Sequence, residues 1–405
     1  MLKSYNKSNT NKKPLIFGLI SVFLCGMGFS IIVPIIPFLV KPYVTSSGEQ
    51  AMMVTLLTSV YALCVFFAAP GLGALSDKYG RRPILLICLL GSSIGYLIFG
   101  IGGALWMLFL GRIIDGITGG NITTIFAYFS DITTEENRTK YFGWISAIVG
   151  IGTILGPILG GLLSKFGYAT PLYFGATITF FNLIYGLFYM PESLDKTNRL
   201  ESITLIKLNP FSQLLNILSI KNLKRILISA FLLWIPSGSF QALFSQFTMN
   251  TFNWGPVLIG LMLSILGLQD IISQSLIMPR LLIKLTDSQI TLLGMISEII
   301  GYGLIFISAL FSSYPFFIIG MFAYGFGDSI FGPSFTGILS KSVDSSEQGR
   351  VHGGSQALQS LSRVIGPIIG GQLYLFFGHS SPFFMSVVLI IIAIPILCRG
   401  SHIRK

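Results

Sequence analysis

The chain has 405 residues, of which 52% are hydrophobic and only 10% charged, against about 25% charged in an ordinary soluble protein. With a mean hydropathy of +0.78, this excludes a large soluble core and indicates a chain that crosses a membrane many times. The formal charge of +11 is scattered over one set of loops, with no basic stripe or stacking motif beside it, so it points to membrane topology and not to nucleic acid.

The first apolar run, 14–40, is too long for the hydrophobic part of a secretory signal and has no small-residue cleavage site after it. Eleven more follow, at about 52–75, 83–103, 105–130, 141–163, 170–190, 226–248, 256–278, 289–311, 315–340, 350–377 and 381–398. A helix needs about 20 residues to cross the bilayer core, and each run suffices. The expected fold is an all-α membrane protein with twelve transmembrane helices. With the N-terminus inside, 22 of the 26 Lys and Arg residues fall on inner segments. Only Lys41 and Lys165 fall outside, and Arg112 and Arg363 lie within spans. That bias predicts both termini in the cytoplasm. The four cysteines, Cys25, Cys64, Cys88 and Cys398, all sit in apolar runs and suggest neither a disulfide nor a metal site.

Between the second and third runs stands GALSDKYGRRPILL, Gly73 to Leu86, with Asp77, Lys78, Arg81 and Arg82 inside six residues. Gly73 and Gly80 allow tight turns and close approach of helices, and Pro83 suits the first turn of the next helix. Here the chain resembles the major facilitator superfamily, whose loop between spans 2 and 3 reads G-x-L-[SA]-D-[RK]-x-G-R-[RK]. Every fixed position is filled.

Span 4 begins LGRIIDGITGGN. Arg112 and Asp115 are three apart and share a helix face, so they can pair. The stretch resembles the family motif R-x-x-[QS]-G, whose arginine is implicated in proton transfer. Asn121 continues the same general face. Arg138 follows in the next loop. Span 5 reads SAIVGIGTILGPILGG, with Gly156, Pro157, Gly160 and Gly161 flattening and bending one face. It resembles the family's antiporter signature, which implies export against a counter-ion.

The longest connection, Pro191 to Arg225, divides the chain. We expect an N-terminal six-helix bundle at 1–190, a central cytoplasmic loop at 191–225 and a C-terminal six-helix bundle at 226–405. Within the loop, Phe211 to Ile220 reads either as a short amphipathic piece on the inner surface or as a plain linker. The halves are related by sequence. Asp115-Gly-Ile-Thr-Gly119 matches Asp328-Ser-Ile-Phe-Gly332, and Gly156-Pro157-Ile-Leu-Gly160-Gly161 matches Gly366-Pro367-Ile-Ile-Gly370-Gly371. Pseudo-symmetric halves are the plan of carriers that rock around a midplane site.

Four carboxylates lie inside apolar runs: Asp115, Asp270, Glu298 and Asp328. An ionised group at the centre of a span costs at least about 2.5 kcal/mol. Arg112 and Arg363 balance two of them, leaving two without fixed positive charge. Such groups suit a proton-coupled carrier, with Asp270 or Glu298 as the first candidates and Asp115 as a third. Gln241, Gln246, Gln274, Gln356, Gln359 and Tyr324 are further polar or stacking groups on apolar helices, hence candidates for substrate contact.

Within the superfamily the chain is most similar to the tetracycline/proton antiporter group. That resemblance places Glu298 at the group's span 9 aspartate and Asp270 at its span 8 histidine. It also exposes two departures: Cys25 and Gly95 stand where the group has acids. A tetracycline–Mg²⁺ chelate is a cation, and this N-half offers it fewer carboxylates.

The expected function is secondary transport in a cell membrane, with export of a drug or other amphipathic small molecule in exchange for protons. The alternative is a carrier of the same fold for a specific metabolite such as a sugar, amino acid or lipid precursor. No G-x-x-x-x-G-K-[ST] occurs, so ATP does not drive it directly. No nucleophile–base pair or metal cluster suggests an enzyme, and no cofactor is implied. The expected partners are the small-molecule substrate, protons and the lipid bilayer, with the chain acting as a monomer.

Overall fold

The computed structural model of the chain describes residues 12–203, 208–211, 214, 217, 223–344 and 347–401. Every regular element among them is helical. Backbone in lipid must satisfy its own N–H and C=O groups, and helices do so without an edge. Span 1 is Lys12–Ile31 continued by Ile36–Val40, span 2 Ser47–Tyr79 and span 3 Arg81–Ile101. Span 4 is Leu105–Gly119 continued by Ile122–Ile132, span 5 Glu135–Leu163 and span 6 Thr170–Tyr189. Span 7 is Lys224–Phe252, and span 8 joins Pro256–Ile272 to Met278–Lys284 through a π-helical turn at Ser273–Ile277. Spans 9 to 12 are Asp287–Phe311, Tyr314–Lys341, Gln348–Phe377 and Ser381–Ser401.

Ten of these crossings are long and apolar enough to span a membrane. Spans 4 and 11 fall short of that measure of helix length and composition, each for its own reason. Span 4 is divided at Gly120–Asn121, so neither piece has the length alone. Span 11 has the length but carries Arg350, Gln356, Gln359 and Arg363 among small residues. Span 4 buries Arg112 and Asp115 while Trp106, Ile113 and Ile117 remain exposed, and Arg363 of span 11 lines the cavity between the halves.

The expected charged loop at 73–86 is also shorter than its sequence suggests. Span 2 runs through Gly73 to Tyr79, and only Gly80 separates it from span 3. Of the amphipathic piece, Phe211, Leu214 and Ile217 are described; its other positions, save Pro210 before it, lie outside the described residues. Leu214 and Ile217 are buried, and the Phe211 ring stands 5.4 Å from that of Phe66 in span 2.

The duplicated sequence folds as a duplicated contact. Span 5 lies so close to span 1 that a Cβ on Gly156 or Gly160 would overlap Ser30 Oγ or the Ile31 carbonyl. Span 11 meets span 7 the same way, with Gly366 against the Ile235 carbonyl and Gly370 against Ser239 Oγ. The next glycine in each motif touches the opposite half: Gly161 the Pro256 carbonyl in span 8, Gly371 Thr55 Oγ1 in span 2. Side chains join the halves at the same level. Ser59 Oγ donates to the Val364 carbonyl (2.9 Å), Ser245 Oγ to that of Val33 (2.7 Å) and Ser264 Oγ to that of Ile154 (2.6 Å).

All these contacts lie toward the end away from Arg81, Arg82, Lys284 and Arg350. We name that the far end, and the other the basic end. At the basic end the same helices carry unmated glycines. Gly71 and Gly73 of span 2, Gly143 and Gly150 of span 5, Gly332 of span 10 and Gly349 of span 11 have nothing within 4 Å of where a Cβ would stand. The seam that joins the two halves thus lies toward the far end.

The seam gives a direct test. Gly260 of span 8 faces the Pro157 carbonyl with no room for a Cβ. Gly260→Leu should wedge spans 5 and 8 apart, because close-packed helices cannot absorb an added side chain without moving. Spin labels at Lys165 and Asn253, on opposite halves, should then report a longer mean distance than in the parent chain. An unchanged distance distribution in a folded variant would mean the seam does not hold the far end shut.

Candidate transport site and gating loop

Inside the cleft lies a cavity of about 180 Å³, lined among others by Phe29, Thr58, Tyr61, Gln241, Ser360 and Arg363. Phe29 and Tyr61 offer rings 5.9 Å apart on one side, while Gln241 and Arg363 supply polar groups on the other. Pro367 lines it too, and Pro236 interrupts span 7 two residues before Gly238 on the same wall. A ligand in this space would meet one aromatic wall from the N-half and one polar wall from the C-half.

The C-half acids take three different positions. Asp328 is exposed although it lies mid-span, on the side of span 10 that meets Arg363 of the cavity wall. Ser237 of span 7, Asp270 of span 8 and Arg363 of span 11 are all within interaction range of its carboxylate. Asp270 is half-buried and accepts from Gln274 Nε2 at 2.9 Å. The π-turn begins three residues beyond Asp270; such turns widen a helix locally and recur at functional sites. Glu298 is 0% exposed, and both of its carboxylate oxygens lack a hydrogen-bond partner. Asp328 is the charged neighbour that acts on it, and no cation among the described residues does.

The N-half acid is held differently. Arg112 Nη1 and Asp115 Oδ2 lie 3.5 Å apart, both almost wholly buried, as an ion pair too loose for a hydrogen bond. The guanidinium sits 4.1 Å from the centre of the Tyr61 ring, a cation–π arrangement. Asn121 is buried nearby and accepts from Cys25 Sγ at 3.3 Å. Tyr61 belongs to both sites, since it also lines the cleft cavity with Arg363.

The remaining polar candidates separate by location. Gln241 reaches the cavity. Gln356 is exposed and Gln359 half-buried, next to Ser360 on span 11. Tyr324 is buried behind Ser237, its hydroxyl 3.3 Å from Ser237 Oγ. Gln274 is occupied by Asp270. Gln246 lies in the far-end seam, where its Nε2 donates to Gln50 Oε1 at 3.0 Å and Gln50 Nε2 donates to the Pro37 carbonyl at 2.8 Å.

At the basic end Arg81 forms a hub. It pairs with Asp77 at 2.5 Å and Asp131 at 3.2 Å, and its Nη1 donates to Ser76 Oγ at 2.7 Å. Gly80, at φ +107°, turns the chain where a side chain would be strained and would collide with Glu192. Glu192 then accepts from the backbone N–H groups of Arg81 (2.8 Å) and Arg82 (3.3 Å), which head span 3. A carboxylate at a helix N-terminus satisfies unpaired N–H groups and complements the helix dipole. Arg82 Nη2 donates to the Leu187 carbonyl at 2.6 Å, and Arg138 reaches the Ser130 carbonyl at 3.5 Å. Sequence reading missed Asp131 and Glu192. Both stand just beyond apolar runs where acids are unremarkable, and only the short Pro191-Glu192-Ser193 step after span 6 hinted at a fixed turn.

A sealed seam of glycines, a central cleft and a charged turn after span 2 are thus combined in two related halves. A family model described as Major Facilitator Superfamily matches residues 18–353 and 226–401. The chain belongs to the Major Facilitator Superfamily. It is a multi-pass membrane transporter and not an enzyme. It is 32% identical to the tetracycline resistance protein, class C, of Escherichia coli, covering 95% of this chain and 96% of that one. It is 33% identical to the class H protein of Pasteurella multocida, covering 90% and 89%. In structure it resembles a bacterial homologue of the human lysosomal transporter Spinster in an inward-facing, occupied conformation, with a TM-score of 0.77, 12% identity and 98% of each chain covered.

The two N-half positions where the resemblance leads us to expect acids are closely packed or partnered here. A Cβ at Gly95 would stand 2.9 Å from the Asp115 backbone nitrogen and 3.0 Å from the Gly111 carbonyl, so spans 3 and 4 pack too closely for an acid there. Cys25 is the partner of Asn121. Asp115 is the one carboxylate lining the small N-half pocket of about 40 Å³ beside these residues.

Proposed function

We propose that this transporter exports a drug or other amphipathic small molecule from the cytoplasm in exchange for protons. The observation that carries the reading is Glu298: an acid with no cation beside it among the described residues, sealed in the C-half behind the wall of the substrate cleft. An uncompensated buried carboxylate is costly when ionised and tolerable when protonated, so moving it between dry and wet surroundings binds and releases a proton. The names of the tetracycline resistance relatives support export of a planar, amphipathic compound, and the Phe29–Tyr61 wall suits one.

In this reading the basic end is cytoplasmic, and a cleft open at that end is the state that loads substrate from inside. Residues 1–190 and 226–405 rock as two bodies about the cleft, joined by 191–225, and the chain works as a monomer in the cell membrane. Asp270, Glu298 and Asp328 carry the coupling proton, Arg363 offsets one of the three, and Arg112–Asp115 is the corresponding pair of the N-half. The Asp77–Arg81–Asp131 hub, Arg82 and Arg138 hold the basic end during closure. Gly73 and Gly80 belong to that gate. Gly156, Pro157, Gly160 and Gly161 form the far-end hinge.

The test is reconstitution into liposomes with an imposed pH gradient and a panel that includes tetracycline, ethidium and a neutral sugar. Gradient-dependent movement of tetracycline or ethidium is expected. Movement that ignores the gradient, or transport of the sugar alone, would overturn the reading.

A further inference from the structure

Glu298 has no direct path to water, yet a carrier of protons must load it. The route out of its pocket is decided by what touches it. Asp328 and Tyr324 face it from span 10, and Tyr302 stands one turn along its own helix. Gly327 packs against its Cγ. Beyond Asp328 the charged groups are Asp270 and Arg363, with Tyr61 beside Arg363. Span 7 contributes Ser237 and no titratable group. Tyr302 is 0% and Tyr324 7% exposed, with ring centres 5.1 Å apart, and Phe240 covers both at 5.8 and 4.5 Å. That lid excludes water from the strip of hydroxyls beneath it.

The hydroxyls nonetheless run in order. Ser237 is within interaction range of the exposed Asp328 carboxylate, and its Oγ is 3.3 Å from Tyr324 Oη. Tyr324 acts on Tyr302. The Tyr302 and Tyr324 hydroxyls are within hydrogen-bonding range of each other, whereas both oxygens of Glu298 are buried with no hydrogen-bond partner. Two carboxylate oxygens left unsatisfied in a dry core at the end of a line of hydroxyls are costly unless they have a use. The geometry points to a hydroxyl relay, Asp328–Ser237–Tyr324–Tyr302–Glu298, that carries protons between cleft water and the sealed acid. This deepens the proton-coupled reading above and rests on it.

The step balances simply. A proton from cleft water binds an Asp328 carboxylate oxygen. Ser237 accepts that proton on its oxygen and gives its own hydrogen to Tyr324, Tyr324 gives its own to Tyr302, and Tyr302 gives its own to a Glu298 oxygen. Each O–H bond broken is matched by one formed, no electrons are transferred, and one proton has moved. The hydroxyls are left reversed and must rotate back, and Tyr302 must turn toward Glu298 for the final transfer.

The experiment uses the full purified chain and needs no substrate. A pH jump is followed by time-resolved infrared absorption, with the Glu298 carboxyl band assigned by its loss in Glu298→Gln. In Tyr324→Phe, Tyr302→Phe and Ser237→Ala the band should form about tenfold more slowly or worse, in keeping with the contribution of positioned proton donors. Ser237→Thr keeps a hydroxyl and should restore the rate, which a merely structural role for Ser237 would not predict. Formation of the band at the parent rate in folded Tyr324→Phe and Ser237→Ala would overturn the relay while leaving coupling at Glu298 intact. Equal slowing in Ser237→Ala and Ser237→Thr would overturn it too. If the parent chain shows no Glu298 band at any pH, the coupling reading itself falls, and the relay with it.

Discussion

Glu298→Gln is expected to abolish uphill transport while leaving substrate exchange across the membrane intact. Glutamine has the shape of the protonated acid and cannot release a proton. The halves can therefore still rock with substrate bound, but the pH gradient no longer drives them. The size of the effect follows from the gradient. Each pH unit is worth about 1.4 kcal/mol per proton, a tenfold concentration ratio. With the membrane potential clamped, two units and one proton per substrate should give about a hundredfold accumulation in the parent chain and about none in the variant. Counterflow at equal pH should be unchanged. Because Glu298 accepts and donates nothing in this conformation, its replacement removes no hydrogen bond, and stability should not fall. Gradient-driven accumulation persisting in Glu298→Gln would move the coupling site elsewhere.

Asp115→Asn should behave in the opposite way, failing in folding before it fails in coupling. Arg112 is buried with its guanidinium between the Tyr61 and Phe99 rings, and Asp115 is its partner at 3.5 Å. Removing one member of a buried pair strands the other charge and typically costs about 3–5 kcal/mol. That is a large part of the roughly 5–15 kcal/mol that holds an ordinary domain together. We expect low yield from membranes and a clearly lower midpoint in thermal unfolding of detergent-purified protein. The double variant Arg112→Met/Asp115→Leu removes both charges and should recover the fold, since apolar residues often replace a buried pair without loss. It should not recover transport. A single Asp115→Asn variant as stable as the parent would show that Arg112 finds water or another partner.

The contrast between these two acids was invisible in the chain alone. Both are single carboxylates in apolar runs, and sequence ranked Glu298 ahead of Asp115 only because Arg112 stands beside the latter. Sequence did reveal Arg112 three residues before Asp115, because helical spacing makes that pair local. It could not reveal that Glu298 is shut behind Phe240, Tyr302 and Tyr324, which come from spans 7, 9 and 10. Gln246 illustrates the same limit from the other side. It reads like Gln241 five residues earlier, yet five residues on a helix turn it to another face, and it closes the far-end seam instead of lining the cavity.

By itself the sequence determined what depends on local chemistry: helices, because apolar runs of this length satisfy their own backbone in lipid; duplicated halves, because the glycine–proline motifs recur; and the charged turn, because its residues are contiguous. Only the tertiary structure decided which acids are paired, exposed or sealed, and toward which end the halves are joined. It also brought Glu192 and Asp131 to Arg81 from distant loops. The physical reason is range. Helix formation and membrane insertion are settled within about 20 residues, whereas burial and ion pairing depend on which helices meet, and those contacts join residues hundreds of positions apart, as Ser59 and Val364 do.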